Sequence, residues 1–393
     1  MTSSPTKGLA AATVVTRNYF QFAVAWAESI YQTQPEVTVY ICLVDRMPPH
    51  LAPEKQLPPN AVIVYPEALK IPAVKQFLFR YTPFELSCAL KPFIVRHALQ
   101  SGHGKVVYID TDTRVYGDLN QLFDSHPDSS ICLTPHIYKP LPDDGKMPIE
   151  QCFLTAGVYN GGFLGVVNDE TGQSFVEWWG EKCLFHSIVD IAAGLHVDQK
   201  WIDLVPSLFD NVTIVRRDGL HVAYWNLLDC DIQRDAEGQV TVNGQPMVIF
   251  HYSGIDFDDP GLLSKYQNRL SLTDMPVVAD LVAEYVECVK ASDVSGGYSK
   301  LEYLYNTLRS GETIQREWRE AMRHRHGWME KWENPFDDIS HPQMLIVYQE
   351  LAPAYVHSRV DWRLAGLNAG EKKNQLHRNS WKKKVFRYLK RLG

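Results

Sequence analysis

The stretch VVYIDTDTRVYGDLNQLF, residues 106–123, decides the fold class. It opens on an apolar, β-branched run that ends in acid, the pattern of a strand buried on both faces. Just past that run Asp110 and Asp112 flank Thr111. Two carboxylates this close repel each other and cost stability unless a cation sits between them. Hard oxygen ligands of this kind suit Mg²⁺ or Mn²⁺, which take carboxylates together with substrate phosphates. The competing reading is a solvated acidic turn. Asp118, in the following Gly-Asp-Leu, reads as a turn and helix cap.

Working outward, strands and helices alternate. Upstream, LAAATVV (9–15), VTVYICLV (37–44) and AVIVY (61–65) are apolar runs of strand length. Between the first two, Tyr19, Phe22, Ala23, Trp26 and Ile30 recur at helical steps. ELSCALKPFIVRHALQ (85–100) predicts a helix, with Pro92 as a potential kink. Downstream, SSICLTP (129–135) is a strand that runs into the 14-residue loop 135–148, and loops of that length are often lids or substrate loops. AGVYNGGFLGVV (156–167) is a Gly-interrupted strand and QSFVEWWGEKCLF (173–185) an amphipathic helix. Asn243-Gly244 within 240–254 predicts a hairpin. This β-α-β order implies an α/β domain with a mostly parallel sheet and ligands at the carboxyl ends of its strands. After Pro276 the pattern turns helical or irregular, with 292–299 as a linker. The division expected is 1–275 for the α/β domain, 276–370 for a helical extension and 371–393 for a basic tail.

Composition excludes several classes. With 45% hydrophobic and 11% aromatic residues the chain can fill a large core, so general disorder is ruled out. Net charge is −7, yet residues 371–393 hold nine Lys or Arg against the single acid Glu371, which leaves the rest near −15. An acidic body argues against nucleic acid as the partner. The seven cysteines are odd in number and form no C-x-x-C pair, so they read as free thiols in a reducing compartment. No run approaches the roughly 18 apolar residues of a membrane span. The expected location is cytoplasmic, with a peripheral place at the inner face of the cell membrane left open by the tail.

Three further constellations carry chemistry. HYSG (251–254) places His251 at a strand end, where the bland reading is a structural histidine. HVDQKW (196–201) places Asp198 and Gln199 at the start of a helix-like run, where they could simply cap it. YNGGF (159–163) puts successive glycines inside an apolar strand, which suits either a bulge or close approach of a ligand. Tyr224, Trp225 and Asn226 are candidates for core or for a sugar-stacking wall.

Taken in order, ALKPF (89–93), YIDTDT, VYNGGFLGV, HVDQKW and HYSG resemble the motifs of nucleotide-sugar glycosyltransferases of the GT-A fold. The resemblance is to the group with glycogenin and the bacterial lipopolysaccharide galactosyltransferases, and it covers about residues 10–270. It implies a Rossmann-like GT-A sheet flanked by helices and a metal-dependent hexosyltransferase that acts with retention. The metal, Mn²⁺ or Mg²⁺, would be held by Asp110, Asp112 and His251. The donor would be a UDP-sugar, with GDP left open. Val14, Thr16, Asn18 and Asp45 would meet the nucleotide, with Thr111 beside the metal. Lys91 would meet the sugar or its β-phosphate, and Asn160 and Gly161 would border the sugar. Asp198 and Gln199 would approach its other face, Asp198 as nucleophile, charge stabiliser or positioning group. The acceptor would be a saccharide, glycolipid or other glycan.

One departure stands out. The family's His motif continues to a Lys followed by Pro and Trp, whereas Phe257 stands at that place here. Lys265 is the next cation and the candidate to replace it, in LSKYQNR with Arg269. Two other functions share such a sheet. A sugar-phosphate nucleotidyltransferase would show a Gly-rich basic N-terminal loop, which TVVTRNYFQF lacks. A non-catalytic carbohydrate-binding scaffold would not need intact acids. In the tail, Trp381, Val385, Tyr388, Leu389 and Leu392 fall at helical spacing among cations, a pattern of interfacial helices and equally of a helix packed on the acidic body.

Overall fold

The structure, a computed structural model, describes residues 7–124, 126–294, 297–324 and 332–337. A seven-stranded sheet carries it: β1 (Lys7–Val15), β2 (Thr38–Leu43), β3 (Ala61–Val64), β4 (His103–Ile109), β6 (Ile131–Pro135), β7 (Tyr159–Val167) and β8 (Val212–Ile214), with β5 (Thr113–Val115) outside it. The order is β8-β6-β7-β4-β1-β2-β3, and only β7 runs antiparallel to its neighbours. The mixed α/β architecture with a mostly parallel sheet is the one expected. The reversal of β7 was not legible, because a strand buried on both faces has no pattern that tells direction.

Helix α1 (Phe20–Thr33) buries Phe20, Ala23, Trp26, Ala27 and Ile30 against this sheet. Full burial of each large side chain stabilises by roughly 1.5–3 kcal/mol. The stripe is offset from the expected one, since Tyr19 stays 55% exposed. Helix α2 (Pro83–Gln100) continues through Pro92. Helix α3 (Glu170–Phe185) starts where Asp169 Oδ1 accepts the Gly172 N–H at 2.8 Å.

A second sheet, β9-β10-β5, is built from β9 (His221–Ala223) and β10 (Ile249–His251) with β5. The hairpin forms at Asn243-Gly244, both at positive φ, but covers only 240–246. The VIFH run leaves it to pair with β9 and β5. Helix α4 (Pro276–Val294) lays Val278, Leu281, Val282, Tyr285 and Val289 on Val222, Phe250 and Tyr252 of that sheet region. The Tyr252 and Tyr285 rings stack at 3.9 Å.

The chain divides into two compact units, 1–71 with 87–303, and 72–86 with 304–393. The expected boundary at 275 does not match this division, because α4 supplies core to the first unit. Nor is 292–299 a plain linker, since Tyr298 is buried edge-on against Phe20. The second unit has its own cluster of Phe79, Leu308, Ile314, Trp318, Met322 and Trp332. There Arg319 donates to the carbonyls of Phe79, Tyr81 and Tyr305. The basic tail, 371–393, lies outside the described residues.

Candidate active site

Two pairings assemble the site at the carboxyl end of β4. Register between β10 and β5 sets His251 opposite Thr113, and the Tyr252 N–H donates to the Asp112 carbonyl at 2.7 Å. On the other side, the Asp110 N–H donates to the Gly162 carbonyl at 2.9 Å, continuing the β4–β7 ladder. Asp110, Asp112 and His251 thus offer three ligand atoms within 4.8 Å of one another.

The glycines of β7 make room for this cluster. A Cβ on Gly162 would collide with Asp110 Oδ2 and stand 2.9 Å from His251 Cε1. One on Gly161 would stand 2.9 Å from Asp198 Oδ2. The bulge reading of YNGGF holds, and the close approach at its glycines is that of protein side chains. The ladder with β4 is regular, while the register with β6 slips between Leu133 and Pro135, opposite Tyr159–Leu164. The slip lets Asn160-Gly161-Gly162 lie against the acids.

Charge is balanced inside the cluster. Lys91 Nζ lies 3.1 Å from Asp110 Oδ1, 3.7 Å from Asp198 Oδ2 and 3.1 Å from the Gly161 carbonyl. Burial would strip its proton, but Asp110 and Asp198 hold the ammonium well above the usual lysine range. Burial pushes the Asp198 carboxyl up to about 6; Lys91 opposes the shift and Asp110 adds to it. Its two oxygens are buried, with the Cys88 thiol beside them as a hydrogen-bond donor that favours the ionised form. The preceding Val197 sits at φ +44°, a costly region for a β-branched residue, and such strain clusters at functional sites.

His251 Nε2 lies 2.9 Å from Asp112 Oδ1. Burial works against charge on both, yet each holds the other ionised: the imidazole is raised and the carboxyl lowered. This geometry fits a divalent cation. Two carboxylates and an imidazole are the donors such an ion takes, and the Gly162 cradle leaves them space.

The other expected residues fall as follows. Gln199 Oε1 accepts the Gly161 N–H at 2.9 Å and its amide donates to the Ala156 carbonyl at 3.0 Å, so its polar ends hold the glycine strand. Asn160 Oδ1 accepts the Gly162 N–H at 2.6 Å. Val14 lies near the end of β1 and Thr16 just past it, and Thr16 Oγ1 donates to Asn18 Oδ1 at 2.8 Å. Asp45 is fully buried; it accepts the Arg17 backbone N–H at 2.8 Å and faces its guanidinium at 3.5 Å. Asp45 thus ties the segment after β2 to the segment after β1. Thr111 is half-buried between the acids. Lys265 is exposed over the Tyr266 ring, and its N–H donates to the Gly254 carbonyl at 2.9 Å, which sets its segment against HYSG. Phe257 meets Phe22 and Tyr285, an apolar setting unfit for the lysine of the family motif. Arg269 clamps the long loop through Asp144 at 2.6 Å and the carbonyls of Lys146 and Pro148. Tyr224 and Trp225 are buried, so they form core and not an acceptor wall.

Sequence reasoning missed three buried residues behind the cluster. His136 Nε2 accepts from the Asn160 amide at 3.0 Å, and burial pushes this imidazole down to about 4. His221 contacts His251 and Thr134, and burial holds its imidazole well below the usual range. All three lie in strands or just after one, where the pattern reports only burial.

A mostly parallel sheet with an acid–acid–imidazole cluster at the carboxyl end of β4 is the mixed α/β architecture expected. No family model matches the chain. Two proteins of Bacillus subtilis (strain 168) are similar to it. Uncharacterized protein YfnF is 26% identical over 274 residues, 69% of this chain and 89% of YfnF. Uncharacterized protein YfnD is 23% identical over 248 residues, 62% of this chain and 76% of YfnD. Among solved structures the chain is similar to the galactosyltransferase LgtC with donor and acceptor sugar analogs (14% identity, TM-score 0.39, 72% of this chain and 95% of LgtC). It is also similar to the glycosyltransferase GlyE of Streptococcus pneumoniae TIGR4 (16%, 0.40, 75% and 64%).

Proposed function

We propose that this protein is a metal-dependent glycosyltransferase that moves a hexose from a nucleoside-diphosphate sugar, UDP-sugar favoured, to a saccharide or glycoconjugate acceptor with retention. The observation that carries the reading is the convergence of Asp110, Asp112 and His251 with Lys91 and Asp198 around two glycines that leave them space. The hard step is cleavage of the anomeric C–O bond, which builds negative charge on the departing diphosphate and positive charge on the sugar. A divalent ion, Mn²⁺ or Mg²⁺, supplies Lewis-acid neutralisation of the leaving group when held by Asp110, Asp112 and His251.

The chain's own groups do the rest. Lys91 keeps Asp110 and Asp198 together and sets a fixed cation beside Gly161. Asp198 is the group offered to the developing positive charge, held in place by Lys91. Gln199 acts by holding Gly161, and Asn160 by its fixed amide. The β1 loop from Val14 to Asn18 receives the nucleotide, with Asp45 holding it from behind, and Lys265 is the cation offered to the diphosphate. This chemistry belongs to the unit that carries the sheet.

The basic tail, 371–393, gives an acidic body a means of meeting an anionic membrane surface, which suits a lipid-linked acceptor. Among the described residues no helix is long and apolar enough to cross a membrane. The test of the function is a screen of UDP- and GDP-sugars for hydrolysis and transfer, with and without Mn²⁺. Consumption of a nucleoside triphosphate with a sugar phosphate would mark a nucleotidyltransferase instead, and binding without turnover a scaffold.

A further inference from the structure

His251 has two ring nitrogens, and only one faces the acids. Its Nδ1 lies 3.2 Å from His221 Nε2, with the two rings stacked at 5.5 Å. His221 Nδ1 in turn lies 3.0 Å from Thr134 Oγ1, and that hydroxyl lies 2.9 Å from the Phe163 carbonyl on β7. Neither His221 nor Thr134 belongs to any motif of the site.

The direction of every hydrogen bond in this series follows from its last member. A backbone carbonyl only accepts, so the Thr134 hydroxyl donates to Phe163. The hydroxyl oxygen is then an acceptor, and His221 Nδ1 must carry the proton. His221 is buried between Phe163 and Trp225, where a neutral ring is favoured, so its Nε2 is bare. A bare Nε2 accepts from His251 Nδ1–H. His251 Nδ1 thus keeps its proton, and the one that a cation displaces is the proton on Nε2, the atom 2.9 Å from Asp112. Without the relay either ring nitrogen of His251 could keep the proton, and half the choice would point the wrong way.

We propose that Thr134 and His221 form a hydrogen-bond relay that fixes the tautomer of His251 with Nε2 toward the cation, which makes His221 a positioning residue of the metal site. The proposal rests on the reading of Asp110, Asp112 and His251 as cation ligands. Ligating histidines commonly give their second N–H to a carboxylate or carbonyl, and loss of that partner typically costs 10–100-fold in metal affinity. Here the acceptor is a second imidazole, so a proton must be placed correctly twice.

The test uses the full chain and Mn²⁺ alone, with free Mn²⁺ read by electron paramagnetic resonance. His221→Phe keeps the stacked ring but removes the acceptor, and should weaken Mn²⁺ binding about 10–100-fold. Thr134→Val keeps the shape of the strand and should weaken it in the same direction, while Thr134→Ser and His221→Gln, which restore a hydroxyl and an acceptor, should recover most of it. Long-range ¹⁵N–¹H spectra of the metal-free protein should show His221 protonated at Nδ1, and Thr134→Val should mix its tautomers. Unchanged Mn²⁺ affinity in folded His221→Phe and Thr134→Val, or a wild-type His221 protonated at Nε2, overturns the relay alone. Absence of Mn²⁺ binding by the wild type overturns the metal reading, and the relay's role with it.

Discussion

Asp198 combines deep burial, a raised carboxyl and a strained neighbour. Its folded pKa of about 6 lies above the ordinary 3.8, so between those values the folded chain holds a proton that the unfolded chain has lost. Stability therefore falls as pH rises through that window and stays lower above it, by on the order of 1–3 kcal/mol. Asp198→Asn removes the penalty. In EDTA the variant should melt a few degrees above the wild type at pH 8, with the gain gone by pH 4, while in Mn²⁺ its turnover should be at least about a hundredfold lower. A melting point below the wild type at pH 8 would show that Lys91 outweighs burial. Asp110, Asp112 and His251 were legible because they stand at or just past the end of an apolar run, and Asp198 because it opens one, where charge is conspicuous. His136, His221 and Thr134 were not, because a buried polar residue inside or beside a strand looks like any other position until its partner is known. Asp45 was legible as a strand-end acid but not as a support, since only the fold shows Arg17 beside it.

At the scale of elements, β7 decides the site. Its regular ladder with β4 and slipped register with β6 bring three consecutive residues against the acids. Gly162→Ala puts a Cβ among Asp110, Asn160 and His251. Overpacking of this kind costs about 1–3 kcal/mol, and here the side chains that must yield are the ligands themselves. Calorimetric titration with Mn²⁺ should show affinity reduced more than about tenfold in Gly162→Ala, the scale of a disturbed ligand set. Gly8→Ala, with nothing within 4 Å of its Cβ, should bind like the wild type. Equal affinity in both variants would remove the close approach from the account. The glycines announced such an approach in the sequence, but the direction of β7 and the slip were hidden by its uniform apolarity. The short strands β5, β9 and β10 carry too few residues for a pattern, and the hairpin expected over 240–254 takes in β10, which pairs instead with β5.

At the scale of the whole molecule, the chain joins an acidic body to a basic tail outside the described residues. Each cation near an anionic surface adds about 1 kcal/mol, so the six at 382–384, 387, 390 and 391 could hold the protein there. Full-length protein should co-sediment with anionic vesicles and a chain ending at Gly370 should not; equal pelleting of both would remove the membrane reading. The central claim is that this molecule breaks a nucleotide-sugar bond with a metal held by Asp110, Asp112 and His251. The most direct measurement is release of UDP from a set of UDP-sugars by the wild type and Asp110→Ala, each in Mn²⁺ and in EDTA. The account predicts release from at least one donor by the wild type in Mn²⁺, with none in EDTA and none from a folded Asp110→Ala in either. Full release in EDTA, or an Asp110→Ala protein as active as the wild type, would contradict it.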